Sequence, residues 1–284
     1  MSQPEPPIRN ISDTARWAAL YRARESERPD AVFRDPFARR LAGDRGEQIA
    51  QAVAFTEEHA WTWTTRTYLF DQFIAEQIAQ GVDTVLNLAA GLDARPYRMA
   101  LPPSLKWIEI DLPDLMDYKE QILAGEKPVC ALERIRLDLS NGDGRRELFA
   151  RVGREAAKAL IVTEGLLIYL TADDVGALAR DLANVPNFQR WVCDLTSPKL
   201  LSMMQERMGA QLDRAKAPFH FAPEEGPGFF ARHGWKPSDV RSMLKTARKL
   251  KRLSFKMRLI SMLPESPPPP GNRPWAGICL LEKQ

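Results

Sequence analysis

The sequence predicts an α/β fold built on a doubly wound, mostly parallel sheet. Two observations carry this. Short apolar runs at 82–90 (VDTVLNLAA), 106–112 (KWIEIDL), 133–139 (ERIRLDL), 158–170 (KALIVTEGLLIYL) and 188–196 (FQRWVCDLT) are separated by segments of helical periodicity. Strands alternating with helices at this interval form βαβ units, whose crossovers demand parallel strands covered on both faces. In addition, Thr171 and Asp174 form a capping box ahead of Val175, Leu178 and Leu182, which marks a crossover helix between two of the strands.

The composition agrees with an ordinary globular chain: 284 residues, 44% hydrophobic and 27% charged, with 40 Lys+Arg against 37 Asp+Glu. A net charge of +3 is too small to point to nucleic acid. Cys130, Cys193 and Cys279 have no C-x-x-C spacing, which excludes a zinc knuckle and a disulfide framework and fits a reducing compartment. MSQPEPPIRN lacks the apolar core of a secretory signal, and no apolar run reaches a membrane span, so the expected location is cytoplasmic, with neither metal nor membrane partner.

In chain order, residues 1–80 read as a helical cover. Residues 1–10 are a Pro-rich tail, and Ser12 or Asp13 caps a helix whose apolar positions are Trp17, Leu20 and Tyr21. A second helix runs from about Thr62 to Gln80, with Phe70, Phe73, Ile74 and Ile78 on one face and Gly81 as its stop. Residues 81–196 are the strand–helix core. From 197 to 233 the alternation stops, and Met203, Met204, Met208 and the run FHFAPEEGPGFF suggest a lid or substrate wall, or loosely packed surface helices. In the last part, 234–284, Pro237 and Ser238 open a helix with Val240, Met243, Leu244 and Ala247 inward. A Pro-rich loop at 264–274 and a closing strand at 276–283 (AGICLLEK) follow.

The chemistry concentrates at three strand ends. The first strand runs into Ala89-Ala90-Gly91-Leu92-Asp93, and the second ends at Asp111, twenty residues after Gly91. Ligands of open parallel sheets bind outside the carboxyl ends of the strands, so a small-residue turn beside a carboxylate one strand over describes a nucleoside site. The same residues also suit a plain turn, since Gly is common after a strand and Asp111 precedes Leu112-Pro113. The third strand end offers Asp138, able to accept from an exocyclic amine, and Leu139, able to pack on a ring. An NAD site shares this logic, but Ala89-Ala90-Gly91-Leu92-Asp93-Ala94 stands where G-x-G-x-x-G would, with acidic Asp93 in the path of a pyrophosphate.

The runs LAAGLDARPYR (88–98), WIEIDLPDLMDYK (107–119), LDL (137–139) and TEGLLIYLT (163–171) resemble the leucine carboxyl methyltransferase family. The resemblance is strongest to its bacterial branch, which includes polyketide O-methyltransferases; residues 15–43, 64–73 and 229–237 share it. It implies a seven-stranded Rossmann-like class I methyltransferase fold, S-adenosyl-L-methionine as cofactor and a small-molecule acceptor offering a carboxylate or a hydroxyl. A cofactor-binding relative without transferase activity is the alternative. By similarity Arg66 pairs with the methionyl carboxylate, Ala90 and Gly91 approach the cofactor, Asp111 holds the ribose, and Asp138 with Leu139 reads the adenine. Glu164 and Tyr169 line the site, Glu164 towards the ammonium group, and Phe219, His220 and Phe221 stand on the substrate side.

The chain departs from the family pattern where Ala89 replaces a customary Gly, which costs of order 1 kcal/mol if that position requires positive φ. A hydroxyl acceptor would require a base, for which His220 and His233 are the candidates in or beside the irregular segment, with His59 the one other histidine. Residues 232–258 hold ten Lys+Arg against Asp239 alone and read as a solvated helix face, or as a surface for an anionic partner.

Overall fold

In the computed structural model, which describes residues 9–52, 59–215, 217–263 and 273–284, seven strands form one sheet in the order β3-β2-β1-β4-β5-β7-β6. These are β1 (Thr84–Leu88), β2 (Lys106–Asp111), β3 (Ala131–Arg136), β4 (Ala159–Thr163), β5 (Phe188–Thr196), β6 (Trp235–Ser242) and β7 (Ala276–Lys283). The first five are parallel to one another, and β7 runs antiparallel to both β5 and β6. This is the mostly parallel α/β sheet that the alternating pattern predicts. The order reverses between β2-β1 and β4-β5, placing the topological switch point at the carboxyl ends of β1 and β4.

Period-two burial accounts for both layers. Leu86, Leu88, Ile108, Ile110 and Ile161 face helices α6 (Gly142–Glu155) and α7 (Ala172–Ala183) through Phe149, Val152, Val175, Leu178 and Leu182. Val85, Trp107, Leu160, Val162 and Val192 face α3 (Ala60–Ala79) through Leu69, Phe70, Phe73 and Ile74. Helices α1 (Ile11–Ser26) and α2 (Ala38–Ala52) pack on α5 (Pro113–Ile122) through Leu20, Leu41 and Leu115. The first helices thus cover the sheet's carboxyl end. The short α4 (Arg95–Arg98) follows the β1 turn.

The capping box at Thr171 and Asp174 is present at α7. Elsewhere the local readings need correction. The cap of α1 is Asn10, whose side chain accepts from the Asp13 amide, while the Asp13 carboxylate serves Arg9 and Arg45. Residues 235–242 form strand β6 rather than the start of a helix, and α9 (Met243–Lys249) begins after a Ser242 cap. Pro237 fits because β6 is an edge strand with a register shift between Pro237 and Asp239, so no interior ladder donor is lost. Residues 198–214 form a regular helix, α8, and Gly226–His233 a 3-10 helix, so regular structure takes up much of the segment where the strand–helix alternation stops. α10 (Phe255–Ile260) precedes the Pro-rich loop, of which 264–272, like the tail at 1–8, lies outside the described residues.

The basic 232–258 stretch does more than solvate a face: Arg241 pairs with Glu76 at 2.6 Å and Arg252 with Glu25 at 2.8 Å, tying the C-terminal part to α3 and α1. Cys130, Cys193 and Cys279 are buried free thiols, and burial pushes Cys130 up to about 11. No helix among the described residues is long and apolar enough to cross a membrane, and none of their His, Cys, Asp and Glu side chains group as a metal site.

Candidate active site

The turn after β1 is tightly wound. Ala89 and Gly91 both adopt φ of 52°, so the position where the sequence departs from the family glycine does lie in the left-handed region. The winding turns the Gly91 amide onto Asp111 at the end of β2: Gly91 N donates to Oδ2 at 2.6 Å, and Leu112 N donates to Oδ1 at 2.7 Å. Burial raises the Asp111 pKa, and these two amides with Lys119 pull against it. A carboxylate with two backbone donors on one side keeps lone pairs for ligand hydroxyls on the other.

A cavity of about 560 Å³ opens at this switch point. Ala90, Gly91 and Asp111 line one part of it, Asp138 and Leu139 a second, and Arg66, Glu164 and Tyr169 a third. Asp138 lies two residues beyond β3 and accepts from Ser140 N at 2.9 Å, an Asx turn that presents the loop. Arg145 donates to the Leu139 carbonyl at 2.7 Å and pairs with Asp181, anchoring that loop to α7.

Beneath the cavity runs a network of buried charge. Arg95, 2% exposed, pairs with Asp71 at 2.6 Å, Asp93 at 2.8 Å and Glu164 at 2.8 Å. Arg66 reaches Glu164 through Nε at 3.2 Å and lies 4.6 Å over the Trp63 ring. Burial alone would raise the Asp93 pKa, but Arg95, Lys119, Arg98 and Arg22 outweigh it and hold the carboxyl below the ordinary range. The network fixes Glu164 from two sides, so its carboxylate is oriented before any ligand arrives.

A second cavity of about 460 Å³ adjoins the first. Thr14, Trp63, Arg66, Gly165 and Tyr169 border both. Its walls are mostly apolar: Ile168, Leu195, Met203, Met204, Phe219 and Phe221. Phe221 belongs at the same time to the main core, where its ring meets Phe229 at 5.0 Å in an edge-to-face contact. Phe229 and Phe230 are buried in that core and line neither cavity. His220 is exposed and outside both linings, and its amide donates to Ile168 O at 2.7 Å. His233 packs on Phe229 beside Arg180, also away from both. The histidine that lines the second cavity is His59.

A profile of the leucine carboxyl methyltransferase family matches residues 15–183. The chain belongs to that family. It is 32% identical over 238 residues to a Streptomyces coelicolor protein named "Putative S-adenosyl-L-methionine-dependent methyltransferase", covering 79% of this chain and 83% of that one. A Streptomyces avermitilis relative named in the same way is 31% identical, covering 78% and 82%. In fold, the chain is similar to the crystal structure of a duf574 family protein from Streptomyces avermitilis, with a TM-score of 0.59, 12% identity and coverage of 94% and 97%. This leucine carboxyl methyltransferase family member is therefore an S-adenosylmethionine-dependent methyltransferase with the class I fold. The residues present suit the cofactor: small-residue turn, carboxylate at the β2 end, polar–apolar pair after β3, and an Arg–Glu pair.

Cavity-lining residues to which the sequence patterns assign no role include Arg95 and Trp63 at the first cavity and Asp194 at the second. Arg95 stands inside the LDARPYR run and Asp194 close to the end of β5. Like Asp111 and Asp138, Asp194 stands near the carboxyl end of a parallel strand.

Proposed function

We propose that the chain transfers the methyl group of S-adenosylmethionine to an oxygen of a small apolar acceptor held in the second cavity. The observation that supports this is the shared border of the two cavities at Thr14, Trp63, Arg66, Gly165 and Tyr169, beside the nucleoside-type strand ends. In this reading Arg66 holds the methionyl carboxylate and Glu164 the ammonium group. Ala90 and Gly91 approach the cofactor chain, Asp111 takes the ribose hydroxyls, and Asp138 with Leu139 frames the adenine. Tyr169, Phe219 and Phe221 are acceptor walls.

When bound, the cofactor supplies a methyl already activated by its sulfonium, so the protein's tasks are alignment and exclusion of water. The buried network under Arg66 and Glu164 serves alignment, and the aromatic walls serve exclusion. Calorimetry with S-adenosylhomocysteine tests the cofactor half: Asp111→Ala should weaken binding by about 1.5–3 kcal/mol through lost charge-assisted hydrogen bonds. Unchanged affinity in the folded variant would remove the ribose assignment. Methyl transfer from labelled cofactor to apolar hydroxyl and carboxylate compounds tests the acceptor half.

A further inference from the structure

We propose that the outer face of α10, with the exposed end of α9, docks on the surface of an anionic lipid bilayer. Its apolar side chains enter the acyl boundary and its cations rest among the headgroups. This interaction goes beyond the transfer reaction and does not depend on which acceptor the second cavity takes.

α10 is built inside out. Its winding continues past Ile260 through turn hydrogen bonds: Ser261 N donates to Met257 O at 2.9 Å, Met262 N to Leu259 O at 3.1 Å and Leu263 N to Ile260 O at 3.1 Å. At helical spacing Phe255, Leu259, Met262 and Leu263 share one face, and that face is turned to solvent. Ser261 is turned inward instead, where its Oγ donates to Arg258 O at 2.7 Å. An ordinary surface helix buries its apolar stripe and shows its polar one. Here Phe255, Leu259, Ile260, Met262 and Leu263 are 50–74% exposed. Among the described residues, Val129 is the one other large hydrophobic side chain so exposed. Single exposed apolar residues are normal on a protein surface, whereas a contiguous run of them marks an interaction site.

The charge around the patch is of one sign. Residues 243–263 hold seven Lys+Arg and no Asp or Glu. Arg252 is engaged by Glu25 and Asp30, and Arg248 reaches the Ser261 carbonyl. Lys249, Lys251, Lys256 and Arg258 are exposed and make no ion pair among the described residues.

This chemistry selects the occupant. Exposed apolar side chains flanked by long cationic ones match the two layers of a bilayer interface, since Lys and Arg reach the anionic headgroups while Phe, Leu, Ile and Met sink below them. A second copy of this chain would set the same four cations against themselves across a symmetric contact. An acidic polypeptide would answer the cations and leave the Phe255 face in water. Docking on a surface requires no spanning helix, so the lack of one among the described residues is no obstacle.

The inner side of the same helix gives the docking a consequence. Met257 and Ile260 line the second cavity, together with Met243 and Leu244 of α9. The docked face and a wall of the cavity are thus two sides of one short helix, which sets the second cavity next to the lipid.

The test is co-sedimentation of the full chain with vesicles of phosphatidylcholine alone and of phosphatidylcholine containing about a third phosphatidylserine. At about 0.1 M salt the wild type should bind the serine-containing vesicles about tenfold or more tightly, and about 0.5 M salt should release most of it by screening. Phe255→Ser combined with Leu259→Ser should weaken that binding about tenfold or more, and Lys249→Glu combined with Lys256→Glu should remove the lipid preference. All four positions are exposed and line neither cavity, so both double variants should keep S-adenosylhomocysteine affinity within about twofold, which also reports that they fold. Equal binding to the two vesicle types, binding to neither, or wild-type binding by the Phe255–Leu259 variant would each overturn the proposal. A dimer in sedimentation velocity that this variant dissolves would overturn it in favour of a second copy. Retention on polyglutamate without binding to vesicles would overturn it in favour of an acidic polypeptide. The wild-type comparison of vesicles requires no variant, so it decides even if a variant does not fold.

Discussion

Ala89 carries a methyl group in a conformation that favours glycine, at φ 52°, in the turn that aims Gly91 at Asp111. Left-handed backbone costs a non-glycine residue about 1–2 kcal/mol, and glycine returns part of that through its greater freedom when unfolded. Ala89→Gly should therefore stabilise the chain by about 0.5–1 kcal/mol, seen as a rise of roughly 2 °C in melting temperature. A lower melting temperature would mean that the turn adopts an ordinary φ. Arg95 is the opposite case, since its removal takes a buried ion-pair partner from three carboxylates at once, leaving Asp71 with Arg98, Glu164 with Arg66 and Asp93 with the Asn87 amide. Arg95→Leu should cost about 3–5 kcal/mol, measured by denaturant unfolding at neutral pH. The same network gives the pH sense. Asp93 titrates below its unfolded value, so its contribution is present above about pH 4 and disappears as pH falls through the depressed native pKa. Acid titration of Arg95→Leu should show a shallower loss of stability than the parent.

At the scale of elements, legibility followed burial and local signals. β1 and β4 are buried throughout and read as uninterrupted apolar runs, and the Thr171–Asp174 box announced α7 by its own chemistry. Trp235–Ser242 carried no such signal: an edge strand paired only with β7 tolerates Pro237 and alternates weakly, so its identity depends on a partner about forty residues on. α8 leaves a weaker signal because its apolar face closes a cavity rather than the sheet core, as Leu200, Met203 and Met204 show. The site divides in the same way. Strand-end residues were legible because the topology fixes where strand ends go, whereas Arg95 and Asp194 acquire meaning only from partners supplied by α3 and the turn after β4. Thr171→Ala removes the hydroxyl that accepts from Asp174 N, leaves the residue 171 amide able to donate to Asp174, and should destabilise the chain by about 1 kcal/mol without altering cofactor affinity. A changed S-adenosylhomocysteine dissociation constant would show that α7 positions the cavity more directly than its cap implies.

Across the whole molecule, the N-terminal helices and the sheet share both chambers. α1 supplies Thr14, Ala15 and Ala18 to the first cavity and Thr14 and Trp17 to the second, while α3 supplies Trp63 and Arg66 to both. A ligand in the first cavity therefore bridges elements far apart in the chain, and its binding energy adds to the stability of their docking. α1 is held on its other side by Leu20 against Leu41 and by the Glu25–Arg252 pair, contacts that ligand does not touch. Saturating S-adenosylhomocysteine should accordingly raise hydrogen-exchange protection in α1, in the turn at 89–94 and at 164–170, because these segments open locally before the sheet does. β7 lies between β5 and β6 and lines the second cavity only at its first residue, Ala276, so its protection should stay close to that of the free protein. Protection confined to 89–94 and 111–139, with α1 unchanged, would mean that the N-terminal helices do not close over the cofactor, and the bridging role given to Arg66 would go with them.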